Sequence, residues 1–154
     1  MPKRHRVNQG KGFAIPSRLF VDSSAWIALI SARDQHYHEA DSLFRLAVSR
    51  QIPLLTTNLI VAEVHRLLLF RAGIQPAARA LDRIEASSLV SIEFATATHH
   101  RTAREWLDKL ADQQISYTDA VSFAVMTAAR CATAISFDHD FLLAGFSLWR
   151  QKST

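Results

Sequence analysis

A chain of 154 residues, 49% hydrophobic and 21% charged, has the length and composition of one soluble globular domain and needs no second one. No apolar run reaches the roughly 18 residues of a membrane span, and the N-terminus lacks the apolar stretch and cleavage site of a secretory signal, so no membrane partner and a cytoplasmic location are expected. The single cysteine, Cys131, excludes an internal disulfide and any cysteine-built zinc site.

The net charge of +4 suggests a polyanionic partner, but its distribution matters more than its size. Residues 1–18 hold Lys3, Arg4, Arg6, Lys11 and Arg18 with no acid, which gives +5. Taking those five from the 18 basic residues leaves 13 against 14 acids, so residues 19–154 stand at −1. Residues 1–18 are expected to be a mobile basic extension, either inert or attractive to RNA, and residues 19–154 a single folded domain.

Taken in order, residues 19–21 read as a short buried strand, followed by a helix from about Ser23. A second helix covers residues 36–49, with Ala40, Leu43, Phe44, Ala47 and Val48 on one face. Residues 53–55 form a second strand. Thr56, Thr57 and Asn58 then supply cap groups for a helix that runs to Arg71 and stops at Gly73. Pro76 opens the next helix, to about Ala86. Residues 89–92 are a third strand. An amphipathic helix over 96–110 turns Ala103, Trp106, Leu107 and Leu110 inward, and Ser116 or Thr118 caps another that ends near Arg130. Residues 133–136 and 146–149 are the last strands.

Short strands alternating with helices predict an α/β fold: three layers, with a central, mostly parallel sheet of about five strands. In such folds the site lies beyond the carboxyl ends of the strands. Four acidic positions are placed to meet there. Asp22 follows the first strand and is alone among Asp, Glu, Lys and Arg between Arg18 and Arg33; Glu63 is alone between Arg50 and Arg66. Asp119 is alone between Asp112 and Arg130, and Asp138 and Asp140 stand by themselves between Arg130 and Arg150. Singly, Asp22 could cap a helix, Asp138 could close a turn and Ser116-x-x-Asp119 could be a capping box, whereas Glu63 has no such explanation. Together, carboxylates in apolar surroundings without local bases favour a hard cation, Mg²⁺ or Mn²⁺. Such ions serve phosphoryl-oxygen chemistry. With neither a P-loop nor a dinucleotide fingerprint, a polynucleotide is the expected substrate.

The stretches Phe20-Val21-Asp22-Ser23-Ser24, Leu55-Thr56-Thr57 leading to Ala62-Glu63-Val64, Tyr117-Thr118-Asp119-Ala120 and Ile135-Ser136-Phe137-Asp138-His139-Asp140-Phe141 resemble, in order and spacing, the PIN-domain ribonucleases and among them the VapC-type toxins of toxin–antitoxin pairs. The resemblance covers about Leu19 to Trp149. It implies that Asp22, Glu63, Asp119 and Asp138 are catalytic and hold the metal, with Asp140 a rival or helper to Asp138, and that Ser23 and Thr118 are supporting hydroxyls. It also implies an RNA substrate, a cognate antitoxin and a homodimer. A PIN-like protein that binds RNA without cutting it is the alternative, although the intact acid set speaks against it. So is an RNA-processing nuclease without an antitoxin. A phosphatase or receiver domain fits less well, because Asp22 lacks an Asp-x-Asp partner.

Arg66 and Arg71 could reach an RNA phosphate beside Glu63. His36, His38, His99 and His100 read as solvated helix starts, His139 as a bystander, and Trp26, Trp106 and Trp149 as core. On the Glu63 helix, Leu59, Leu67 and Phe70 lie on the Glu63 side, while Val61 and Leu68 lie nearly opposite, with Leu69 further round. One sheet cannot cover both sides, so other helices or a second chain must.

Overall fold

The computed structural model describes residues 15–150. The expectation of a mobile extension falls mainly on residues 1–14, outside the described ones. Five strands, β1 (Leu19–Val21), β2 (Leu54–Thr57), β3 (Val90–Glu93), β4 (Thr133–Ile135) and β5 (Ser147–Leu148), form one sheet in the order β3-β2-β1-β4-β5. Every pairing is parallel: Phe20 faces Leu55 on one side and Ala134 on the other, and Thr56 faces Ile92.

Seven helices surround the sheet among the described residues: α1 (Ser23–Ile30), α2 (Tyr37–Ser49), α3 (Asn58–Ala72), α4 (Ile74–Ala86), α5 (Ala97–Lys109), α6 (Tyr117–Ala128) and α7 (Asp140–Leu143). One set joins α1 to α2 and α3, and α3 to α4; the other joins α5 to α6 and α6 to α7. Successive strand residues point to opposite faces, yet Leu19, Phe20 and Val21 are all fully inaccessible. Both faces of the central strand are therefore covered, and its unbroken apolar run is what a doubly covered parallel strand requires.

Several boundaries differ from the sequence reading for identifiable reasons. Strand β2 runs on through Thr56 and Thr57, which pair with Ile92 and Glu93, because β-branched residues suit a strand as well as a cap. Thr57 does both, and its hydroxyl accepts from the Ile60 N–H at 3.1 Å. Helix α4 starts at Ile74, two residues before Pro76, since the missing proline N–H costs nothing in a first turn. The turn between α3 and α4 needs Gly73, whose φ of +99° lies where a side chain would be strained. Helix α7 was not foreseen, its four residues being too few to show a period.

Trp26 and Trp149 are buried, and Trp106 is half-buried against Phe123 and Phe146. Val48, assigned to the inner face of α2, is 55% exposed. On α3, the chain itself buries Ile60, Val64 and Leu68 and half-covers Leu59, Val61, Leu67 and Leu69. Phe70 stays 78% exposed, and Ile74 beside it 77%.

Candidate active site

Neighbours on both sides fix the carboxyl end of β1. The Asp22 N–H donates to the Ile135 carbonyl at the end of β4 at 3.1 Å, and the Thr56 hydroxyl of β2 donates to the Val21 carbonyl at 3.0 Å. Trp26 Nε1 in turn donates to Thr56 Oγ1 at 3.4 Å. Asp22 thus enters α1 from extended backbone, at its N-cap position, but its side chain makes no capping bond. Instead Oδ2 accepts from Ser24 Oγ at 3.0 Å and Ser136 Oγ at 2.9 Å. Ser24 Oγ also accepts from the Phe137 N–H at 2.9 Å, and Ser136 Oγ from the Asp138 N–H at 3.1 Å. Asp22 is 1% exposed, and its Oδ1 is buried without a hydrogen-bond partner.

Three more aspartates share the electrostatic field at this rim. Burial pushes the Asp22 carboxyl up to about 6 against the opposing Ser136 and Ser24 hydroxyls, with Asp138 adding to the rise. Asp119, in the first turn of α6 and set by Ser116 Oγ accepting from its N–H at 3.1 Å, is pushed up to about 8. Burial is the largest cause, followed by the charge of Asp22 and by the Asp140 carboxyl. Asp138 is exposed, but its carboxyl is also raised, by desolvation and then by Asp140, with His139 opposing. Asp138 therefore acts on Asp22 while Asp140 acts on both Asp119 and Asp138, so the two do not occupy one interchangeable position.

Glu63 is half-buried in the second turn of α3 and does not figure among the groups that shift Asp22, Asp119 or Asp138. Ser23 is buried at the start of α1, but the hydroxyls that reach Asp22 belong to Ser24 and Ser136. Thr118 is half-buried beside Asp119, and its carbonyl accepts from Ser122 Oγ at 3.0 Å. Arg66 and Arg71 are exposed, with Arg66 6.0 Å from the Phe70 ring centre. His99 completes a capping box with Thr96, and His100 Nδ1 lies 2.8 Å from the Tyr117 hydroxyl. His36 is not simply solvated, because its ring stacks on Phe137. Sequence reasoning missed Ser24 and Arg150. Ser24 was hidden beside an identical neighbour, and Arg150 reaches the Ser136 carbonyl across 14 positions with no periodic signal.

Among the described residues, no three His, Cys, Asp or Glu side chains stand close enough to chelate an ion by themselves. The donor set nevertheless fits Mg²⁺ or Mn²⁺. A hard ion of this kind is held by one or two carboxylates, with waters and substrate phosphates completing the shell. The Oδ1 of Asp22, buried without a hydrogen-bond partner, is a hard oxygen donor of the kind such an ion takes.

Known proteins resemble the chain along most of its length. The PIN domain pattern matches residues 19–146. Over 128 residues the chain is 38% identical to the 23S rRNA-specific endonuclease VapC20 of Mycobacterium tuberculosis, an overlap of 83% of this chain and 95% of that one. The crystal structure of VapC20, described as a sarcin-ricin loop cleaving toxin, matches with a TM-score of 0.78 and 37% identity, covering 86% of this chain and 99% of the other. A Pyrobaculum aerophilum protein of known structure shares the fold alone, with a TM-score of 0.53 and 16% identity over 82% and 83% of the two chains.

The raised carboxyls make stability depend on pH. An unfolded aspartate releases its proton near 3.8, whereas folded Asp22 and Asp119 hold theirs to about 6 and about 8. Between these values the folded state binds more protons, so metal-free stability falls as pH rises. For Asp22 the rise to about 6 corresponds to about 3 kcal/mol. Thermal unfolding in EDTA should show the melting temperature dropping from pH 5 to pH 8, with a smaller drop in Asp22→Asn and in wild type saturated with Mn²⁺. A metal-free melting temperature that rises across this window in wild type but not in Asp22→Asn would contradict the assignment.

Proposed function

The chain belongs to the PIN-domain family, and on that premise we propose that it is an endoribonuclease hydrolysing RNA phosphodiester bonds with Mg²⁺ or Mn²⁺, as the toxin of a VapBC-type toxin–antitoxin pair. The observation that carries the reading is the Asp22 carboxylate, buried, oriented through one oxygen by two serine hydroxyls, and left with the other oxygen bare. Asp22, with Asp119 and Asp138, would hold the ion, Asp140 would support Asp119, and Glu63 would complete the rim from α3. When bound, such an ion makes water a stronger nucleophile at neutral pH and neutralises charge at the leaving oxygen. The protein supplies the orientation: Ser24 and Ser136 fix the Asp22 plane, and Ser116 fixes the backbone of Asp119. The sarcin-ricin loop of 23S rRNA, named for VapC20, is the substrate to test first. Arg66 and Arg71, both exposed, would contact its backbone, and the basic residues before Leu19 would add salt-dependent attraction.

For partners, we infer a homodimer and a cognate antitoxin. The exposed Phe70 and Ile74, at the end of α3 and the start of α4, support a covered surface there, because two large apolar side chains more than three-quarters exposed are poorly placed in a monomer. No helix among the described residues is long and apolar enough to cross a membrane. We infer a cytoplasmic location, where a ribosomal RNA such as that named for VapC20 would be met.

Two measurements test these readings. Asp22→Asn preserves shape and removes a ligand charge; its cleavage of a sarcin-ricin stem-loop should fall by at least about 100-fold, since even outer partners of metal ligands are worth 10–100-fold, and EDTA should abolish the wild-type activity. Wild-type cutting by Asp22→Asn would end the metal-site assignment. Sedimentation should show a dimer at micromolar concentration that Phe70→Asp with Ile74→Asp converts to a monomer, and a larger complex with the product of an adjacent small gene. A wild-type monomer that ignores that product would refute the partner reading and leave the nuclease reading intact.

A further inference from the structure

Arg150 lies two residues past β5 and beyond the residues matched by the PIN-domain pattern, yet its side chain returns to the site. Its Nη2 donates to the Ser136 carbonyl at 3.2 Å, and its guanidinium carbon lies 5.3 Å from the centre of the Phe137 ring. His36, at the N-terminus of α2, stacks on that same ring, with centroids 4.3 Å apart and planes 4° from parallel. Ser136 and Phe137 are the residues that fix Asp22: one donates its hydroxyl to Oδ2, and the other binds Ser24 Oγ through its N–H. Three separate segments, the α1–α2 connection, the β4–α7 turn and the chain after β5, thus meet on one aromatic ring.

This is an expensive arrangement for packing alone. The Nε of Arg150 is buried without a hydrogen-bond partner, and buried donors are seldom left so. An arginine that holds a carbonyl and covers a ring face uses its planar fork in a way lysine cannot copy. Nor does Arg150 act by pairing with the acids, because it is not among the groups that shift Asp22 or Asp138. What it touches is the backbone of one orienting residue and the ring of the next.

We propose that Arg150, which shares the Phe137 ring with His36, is a positioning residue for the metal site: it clamps the Ser136-Phe137 turn so that the Ser136 hydroxyl stays on Oδ2 of Asp22 and Oδ1 remains free for a divalent cation. The inference rests on the nuclease reading for what the cation does, but whether the cation binds can be measured without RNA.

The test compares wild type, Arg150→Met and Arg150→Lys. Methionine keeps an unbranched stem against Phe137 and removes the donors, so melting in EDTA should stay within about 4 °C of wild type. Calorimetric titration with Mn²⁺ alone should give a dissociation constant about 10-fold weaker for Arg150→Met, the lower end for an outer partner of a metal ligand. Turnover of a saturating sarcin-ricin stem-loop should fall by a similar factor with KM for RNA unchanged, and Arg150→Lys should lie between. Wild-type Mn²⁺ affinity in Arg150→Met overturns the proposal. So does a rise in KM alone, which would make Arg150 a phosphate contact. If the methionine variant unfolds in EDTA, Arg150→Lys decides, and wild-type Mn²⁺ affinity there is equally fatal. Weakened Mn²⁺ binding in a protein whose wild type cuts no RNA would uphold the clamp and remove the nuclease reading.

Discussion

A half-satisfied carboxylate at the centre of the sheet is the constraint on which the rest of this structure depends. Burying an ionised aspartate costs several kcal/mol unless it is compensated, and a charged partner from the chain would compensate it permanently. Here compensation comes from two hydroxyls on one oxygen and, more weakly, from the Ser23 backbone. That is enough to fix the plane of the carboxylate and too little to neutralise it. The neighbouring aspartates deepen the deficit, because each raises another rather than relieving it. The folded state therefore stores unfavourable electrostatics that only protons or a cation can discharge.

The scaffold that tolerates this is correspondingly well determined. Fully buried β1 is hydrogen-bonded into β2 and β4, so the end of the strand cannot relax to let Asp22 reach water. Thr56 ties the last β1 carbonyl, Ile135 receives the Asp22 amide, and Trp26 locks the Thr56 rotamer from the first turn of α1. Behind the β4–α7 turn, Phe141 is buried against Phe20 and Phe123, which anchors the segment carrying Asp138 and Asp140 to the core. Rigid packing on the inside holds these positions, while at the rim no three acidic, His or Cys side chains among the described residues stand close enough to chelate an ion by themselves.

How much of this was legible beforehand follows from the kind of signal each feature leaves. The parallel sheet was readable because β1, β2 and β4 are short apolar runs between helical periods. The acids stood out because apolar stretches with single uncompensated charges are uncommon, and the chain order of Asp22, Glu63, Asp119 and Asp138 carried the family resemblance. The roles of Ser24 and Arg150 were not legible, since they depend on which of two adjacent serines faces Asp22 and on a contact spanning 14 residues. Nor could sequence distinguish Asp138 from Asp140. In the fold, Asp138 adds to the rise at Asp22 and Asp140 to that at Asp119. On the Glu63 helix, where cover by other helices or by a second chain was open, the chain itself buries or half-covers most apolar positions and leaves Phe70 as the outlier.

The central claim is that the bare oxygen of Asp22 is the seat of a divalent cation. Its most direct test is anomalous diffraction from crystals soaked in Mn²⁺ at about pH 8, where the acids are most readily ionised. The account predicts a manganese peak within about 2.5 Å of Asp22 Oδ1. A protein that takes up manganese elsewhere, or leaves that oxygen bare under saturating metal, would contradict it.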